Sequence, residues 1–254
     1  MNFKRSSVIF LMMILFLNVC NIIFGISGWL YLIPGVFLFT MTGIGSFRIG
    51  MSFYFTVICK FKSPQNIVIT FDDGPHETTT PKVLEVLKKH EVKATFFCIG
   101  SKAEQHPELV KRIYNEGHII ANHSYCHKEM YGFFSTKKII ADLSQCNAVL
   151  NKIIGKNPRF FRPPFGVTNP NMKRALKKYP LIPIGWSLRT LDTVKKNPEE
   201  IIDRLRKTKP GDIILFHDRV ENIEKVLDEY LLFCKQQSLV ISPLDEMIKL
   251  PSYD

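Results

Sequence analysis

Two adjacent carboxylates followed by a turn stand in Thr70-Phe71-Asp72-Asp73-Gly74-Pro75. Neighbouring side chains of a strand point to opposite faces, and Gly74-Pro75 turns the chain so that both carboxylates can enter one pocket. Two close carboxylates repel, which favours a cation beside one of them. In isolation the same pair could also serve as turn or capping residues. His123 and His127 are four positions apart. Along an extended strand they would stand ~13 Å apart, too far to share one ion. A helical turn after Asn122 would bring them within ~6 Å on one face. Two imidazoles and one carboxylate make a three-ligand set with an open position, as in catalytic zinc sites. Cys126, between the histidines, offers a softer alternative ligand.

These residues need a scaffold, and from Gln65 onward strand-like and helix-like segments alternate. Strands are expected at 66–71, 93–99, 118–122, 159–162, 181–187, 212–216 and 239–241. Helices are expected at 81–90, 107–116, 136–154, 169–178, 198–207 and 221–235. Strict alternation points to a parallel sheet with helical cover, here an α/β fold, a distorted (β/α)7 barrel of the TIM-barrel type. In such barrels chemistry collects at the C-terminal strand ends. Asp72-Asp73, His123 and His127, Arg162, Asp192 and His217-Asp218 all follow strands, whereas ordinary surface charge would scatter along helices as well.

From about Asn66 to Pro243 the chain resembles the polysaccharide deacetylase family of metal-dependent carbohydrate esterases. The motifs that carry the resemblance are TFDDGP (70–75), HSYCH (123–127), RPPFG (162–166), WSLRTLDT (186–193) and ILFHD (214–218). The resemblance implies that Asp73, His123 and His127 hold the metal and that Asp72 is the catalytic base. It implies that Arg162 orients Asp72, and that the backbone N–H of Phe165 helps to bind the oxyanion. His217 would be the acid, tuned by Asp192, and Leu215 would line the acyl pocket. Trp186, a packing residue by type, joins the substrate residues. The implied cofactor is a divalent metal, Zn²⁺ first, with Co²⁺, Ni²⁺ and Fe²⁺ fitting the same donors.

The residue chemistry supports these roles independently. An amide carbonyl is a poor electrophile and an amine a poor leaving group, so hydrolysis needs help at both ends. A metal polarises the carbonyl and lowers the pKa of its water, the expected nucleophile, toward ~7. A carboxylate can take that water's proton and an imidazolium can donate one to the departing sugar amine. Three positions depart from the family pattern. Phe165 stands where Tyr is frequent, Arg189 where Asp is common and Thr193 where Trp is common. The last two touch the substrate groove, so they bear on the substrate more than on the reaction.

The chain has 254 residues and a formal charge of +11, which first suggests a nucleic-acid partner. Only three of its basic residues (Lys4, Arg5 and Arg48) lie in the first 59 positions, and no acidic residue precedes Asp72. The remaining excess is spread over helix-like segments such as Lys137-Lys138, Lys177-Lys178 and Lys195-Lys196, which read as solvated faces. A nucleic-acid module would need a basic stripe with interleaved aromatics, and none is evident. With 46% apolar residues the chain can build a core, so disorder is excluded.

No Asp, Glu, Lys, Arg or His occurs from Ser6 to Phe47. This stretch is about two membrane spans long and too long for the apolar core of a cleaved signal peptide. Residues 1–62 therefore read as a membrane anchor, a hairpin of two helices with Phe47–Lys62 lying along the interface. Gly25, Ser27 and Gly28 would make its turn, and Pro34-Gly35 would kink the second span. Residues 63–254 read as the catalytic domain. Positive charge on both flanks places both ends in the cytoplasm, whereas a single crossing would place the domain outside. The six cysteines show no CxxC spacing and read as reduced core residues.

The expected function is removal of N-acetyl groups from amino sugars of peptidoglycan or a chitin-like polysaccharide at a bacterial cell membrane. Its expected partners are that glycan and the lipid, without nucleic acid or a protein partner. Two readings compete with it. One is a deacetylase or deformylase of a lipid-linked sugar at the cytoplasmic face. The other, a carbohydrate-binding protein without activity, is disfavoured because every presumed catalytic group is present.

Overall fold

The computed structural model describes residues 2–195 and 197–254; Lys196, half of one expected surface lysine pair, lies outside them. Strand β1 (Asn66–Asp72) is central, and six of its seven residues are buried. It is apolar on both faces, as a strand covered on both sides must be. The other strands are β2 (Thr95–Cys98), β3 (Ile119–Asn122), β4 (Phe160–Phe161), β5 (Ile182–Pro183), β6 (Leu188–Arg189), β7 (Ile213–His217) and β8 (Val240–Ile241). The sheet runs β5-β4-β3-β2-β1-β7-β6, with β8 paired to the start of β1, and every pairing is parallel.

Its two edge strands, β5 and β6, are joined by only residues 184–187. Such a short link requires the sheet to curl until its edges approach, so the architecture is a curled, incompletely closed barrel. Along the link the chain changes partners: Ile184 N–H bonds the Phe161 carbonyl, Gly185 N–H the Ile58 carbonyl and Ser187 N–H the Ile213 carbonyl. The single strand expected at 181–187 is therefore broken in two, and the described residues form eight short strands instead of seven.

The two N-terminal helices are α1 (Phe3–Phe24) and α2 (Leu32–Phe47), both long and apolar enough to cross a membrane once the turn preceding α2 is included. Gly25 ends α1 in a left-handed conformation (φ 60) that costs glycine nothing. Because α2 begins at Leu32, Pro34 falls in its first turn, where a missing N–H is harmless; the expected kink has no cause there. Asn18, a polar interruption of α1, accepts a hydrogen bond from the Tyr31 hydroxyl at 2.9 Å. Leu11, Leu15, Phe16, Val36 and Phe39 are exposed.

Part of the segment expected along the membrane interface also packs on the barrel. Phe53, Tyr54 and Val57 are buried, Ile58 bridges Ile184, and Phe61 N–H bonds the Gly211 carbonyl at 3.0 Å. By contact, residues 57–61 fill the gap between the end of β5 and the loop that leads into β7. A chain beginning at Ser63 is accordingly expected to be less stable than one beginning at Ser52 in urea unfolding. It loses burial of Val57, about 1.5–3 kcal/mol, and backbone hydrogen bonds of about 1 kcal/mol each. Equal midpoints would show that the gap-filling segment adds nothing.

The helices that cover the sheet are α3 (Thr80–Lys89), α4 (Gly100–Gln105), α5 (Pro107–Asn115), α6 (Thr136–Ile154), α7 (Pro170–Lys178), α8 (Pro198–Leu205), α9 (Ile223–Gln236) and α10 (Leu244–Ile248). Of these, α4 and α10 are too short to show a helical period in the sequence. All six cysteines are free.

Candidate active site

The sheet register sets the site. Asp72 is paired with His217 on the neighbouring strand, so their side chains start side by side. Asp73 leaves the strand in a left-handed conformation (φ 71), which Asp tolerates better than most residues. It thereby avoids the opposite face of the sheet, and both carboxylates line one cleft of about 560 Å³. His123, His127, Phe165, Trp186, Leu215 and His217 line the same cleft.

The two histidines meet by a different route from the expected helical turn. Residues 123–127 form a loop in which Ser124 (φ 65) and His127 (φ 41) are left-handed. Asn122 Oδ1 accepts from Ser124 N–H at 2.8 Å, and the Ser124 hydroxyl accepts from His127 N–H at 3.0 Å. Asp142 on α6 fixes the rest, accepting from the Tyr125 and Cys126 amides at 3.0 Å. The imidazole centroids end 4.7 Å apart.

Asp73 Oδ1 lies 3.5 Å from His123 Nε2 and 3.3 Å from His127 Nε2, and the three donors lie within 4.8 Å of one another. Tetrahedral zinc with ligand bonds near 2.0–2.1 Å has ligand–ligand edges of ~3.3–3.4 Å, which the two edges from Asp73 match. His123 Nδ1–H donates to the Arg162 carbonyl at 2.8 Å, which leaves the Nε2 lone pair facing Asp73. Burial opposes charge on Asp73. Its contacts with His123 and His127 and the hydrogen bond from Arg219 nevertheless hold its carboxyl well below the usual range. Burial, helped by the nearby His123, pushes His127 down to about 3. A carboxylate beside neutral imidazole is the state a divalent cation needs.

Asp72 Oδ1 accepts from Arg162 Nη1 at 2.7 Å, while Oδ2 lies 3.8 Å from His123 Nε2, beside the donor set. Arg162 is completely buried. It also donates to the Thr70 hydroxyl at 2.8 Å and to the Gly185 carbonyl at 2.7 Å, and lies 4.0 Å over the Phe97 ring. Burial lowers its pKa and Asp72 works against that. His217 Nδ1–H donates to Asp192 Oδ1 at 2.7 Å, and the His217 amide donates to Asp192 Oδ2 at 2.7 Å. Burial opposes the imidazolium, but the Asp192 bond and charge outweigh it, and the His217 pKa is raised. Phe165 is left-handed (φ 58), half exposed, and its ring lies 4.6 Å from that of His127. Trp186 lies over Gly166, where even a methyl group would overlap the indole. Leu215 is buried in the cleft wall.

Residues 60–183 match the family model for polysaccharide deacetylase. The chain is 33% identical over 192 residues to the peptidoglycan-N-acetylmuramic acid deacetylase PdaA of Bacillus subtilis, covering 72% of each chain. The chain belongs to the polysaccharide deacetylase family. Against the peptidoglycan-N-acetylglucosamine deacetylase of Bacillus cereus it is 37% identical over 161 residues, or 62% of this chain. It spans only 58% of that relative's length. Among solved structures it resembles the Bc1960 peptidoglycan N-acetylglucosamine deacetylase, with a TM-score of 0.73 and 30% identity over 78% of this chain and 95% of that one. The family consists of hydrolases that act on amide bonds.

Within this family frame, three residues at the site escaped the sequence reading. Arg219 Nε donates to Asp73 Oδ2 at 2.8 Å, and Lys102 Nζ donates to the Asp73 carbonyl at 2.8 Å. Asp142 organises the histidine loop. The position of Arg219, two residues after His217, was a usable signal. Lys102 and Asp142 sit on helices, where their charges look like ordinary surface. Arg189 and Thr193, the departures from the family pattern, both line the cleft.

Proposed function

We propose that this chain is a metal-dependent deacetylase of N-acetylated amino sugars in a polysaccharide, peptidoglycan or chitin-like, anchored in a bacterial membrane by α1 and α2. The observation that carries the reading is Asp72: Arg162 takes one of its oxygens, and the other stands free beside the Asp73–His123–His127 donor set. Zn²⁺ suits two imidazoles and a carboxylate. When bound, the ion would polarise the acetamide carbonyl and acidify water.

The chain's own groups supply the rest. Asp72 Oδ2 accepts the proton of the attacking water, while Arg162 keeps the carboxylate oriented. The Phe165 amide faces the developing oxyanion. His217, with Nδ1 committed to Asp192, has Nε2 free to protonate the departing amine. The products are the free sugar amine and acetate. Purified full-length protein incubated with an N-acetylglucosamine oligomer or peptidoglycan should release the two in equal amounts; absence of release from both would reject the proposal.

The acid role sets a pH dependence. Asp192 raises the His217 pKa, and the acid form persists below that pKa. Asp192→Asn is expected to lower it, so the alkaline limb of the kcat–pH profile moves to lower pH. An unmoved limb would separate His217 from the acid role.

A second reading, a lipid-linked sugar amide as substrate at the cytoplasmic face, is favoured by the positive flanks of the hairpin (Lys4 and Arg5; Arg48, Lys60 and Lys62). A reporter active on only one side of the membrane, fused at the C-terminus of the full chain, distinguishes the two. Cytoplasmic activity favours the lipid-linked sugar, and external activity favours the polymer.

A further inference from the structure

Phe165 and Gly166 both adopt left-handed conformations, φ 58 and φ 68, and a phenylalanine stays there only when its surroundings impose it. Trp186 confines the loop on one side. On the other, the residue that leaves the loop, Thr168, is buried against the end of the hairpin. Its N–H donates to the Ser46 carbonyl at 2.9 Å and its hydroxyl to the Gly45 carbonyl at 3.3 Å. Both carbonyls belong to the last turn of α2, which has no further turn to satisfy them. That turn is itself fixed. Gly45 lies so close to the Phe53 ring that a methyl group would overlap it, and the Ser46 and Tyr54 hydroxyls are 3.3 Å apart. The start of α1 joins the same knot, with Phe3 N–H donating to the Phe53 carbonyl at 2.9 Å.

We infer that the end of the hairpin braces the oxyanion loop, with Gly45 and Thr168 as positioning residues. The anchor is then part of what shapes the active site, in addition to any tethering. The inference rests on the reading in which the Phe165 amide faces the oxyanion. Misplacing such a donor slows the chemical step more than it weakens substrate binding.

The test uses full-length protein in detergent: wild type, Gly45→Ala, Thr168→Val, the double variant Gly45→Ala/Phe53→Ala, and Gly35→Ala as a reference in open space. With an N-acetylglucosamine oligomer, Gly45→Ala is expected to lower kcat roughly five- to twentyfold and Thr168→Val roughly two- to fivefold. KM and bound metal should stay unchanged. The double variant, which makes room for the methyl, should recover most of the loss, the coupling expected of residues in contact. Amide hydrogen exchange at residues 165–168 reads the brace without substrate and should be faster in Gly45→Ala. Unchanged exchange there would overturn the inference, and so would a kcat loss matched by loss of metal. An inactive wild type whose exchange responds as expected would instead count against the deacetylase reading.

Discussion

Replacing His127 by alanine is expected to reduce acetate release by at least roughly a thousandfold, because metal polarisation and acidified water are lost together. Asp72 Oδ2 also stands beside the set, 3.8 Å from His123 Nε2, but drawing it in as a ligand would remove the proposed base. Cys126 lines the cleft, but the cluster that could hold an ion comprises Asp73, His123 and His127 alone among the described residues. Two ligands bind a divalent ion far more weakly than three, so metal content after dialysis should fall along with activity. The fold should persist, since His127 sits in the cleft wall outside the sheet. Activity retained by a folded His127→Ala protein would reject the metal assignment.

The second large effect is expected from Asp72→Asn. The change keeps the shape of the side chain and an oxygen for Arg162 Nη1, which donates to Asp72 at 2.7 Å. That matters because deleting the partner of a fully buried guanidinium strands its charge, at about 3–5 kcal/mol. Asparagine cannot take a proton from water, so kcat should fall by roughly 10²–10⁴ with metal content unchanged. This pattern, an inactive protein with full metal, separates Asp72 from Asp73. Loss of both in Asp72→Asn would instead make Asp72 a ligand.

Much of this arrangement was legible before the structure. The Asp72-Asp73 pair announced itself by its turn, and the strand-end positions of His123, Arg162, Asp192 and His217 followed from strict β/α alternation. What stayed hidden depends on contacts between distant parts of the chain. The histidine loop is shaped by Asp142, a charge that resembles any other on an amphipathic helix. The break of one expected strand into β5 and β6 comes from the change of partners between Ile184 and Ser187, which local residue pattern does not encode. The packing of residues 57–61 on the barrel was hidden because Phe47–Lys62 is apolar, aromatic and basic, a composition that an interfacial segment and a gap-filling one share. The bond between Thr168 and the end of α2 links positions more than a hundred residues apart, and neither residue type hints at it.

The most direct measurement of the central claim is acetate and free amine released from an N-acetylglucosamine oligomer by purified full-length protein. It should be made as isolated, after chelation, and after return of Zn²⁺. Equal amounts of the two products, loss of release on chelation and recovery with the ion are expected. Release that persists in chelated protein verified to be metal-free would contradict the claim.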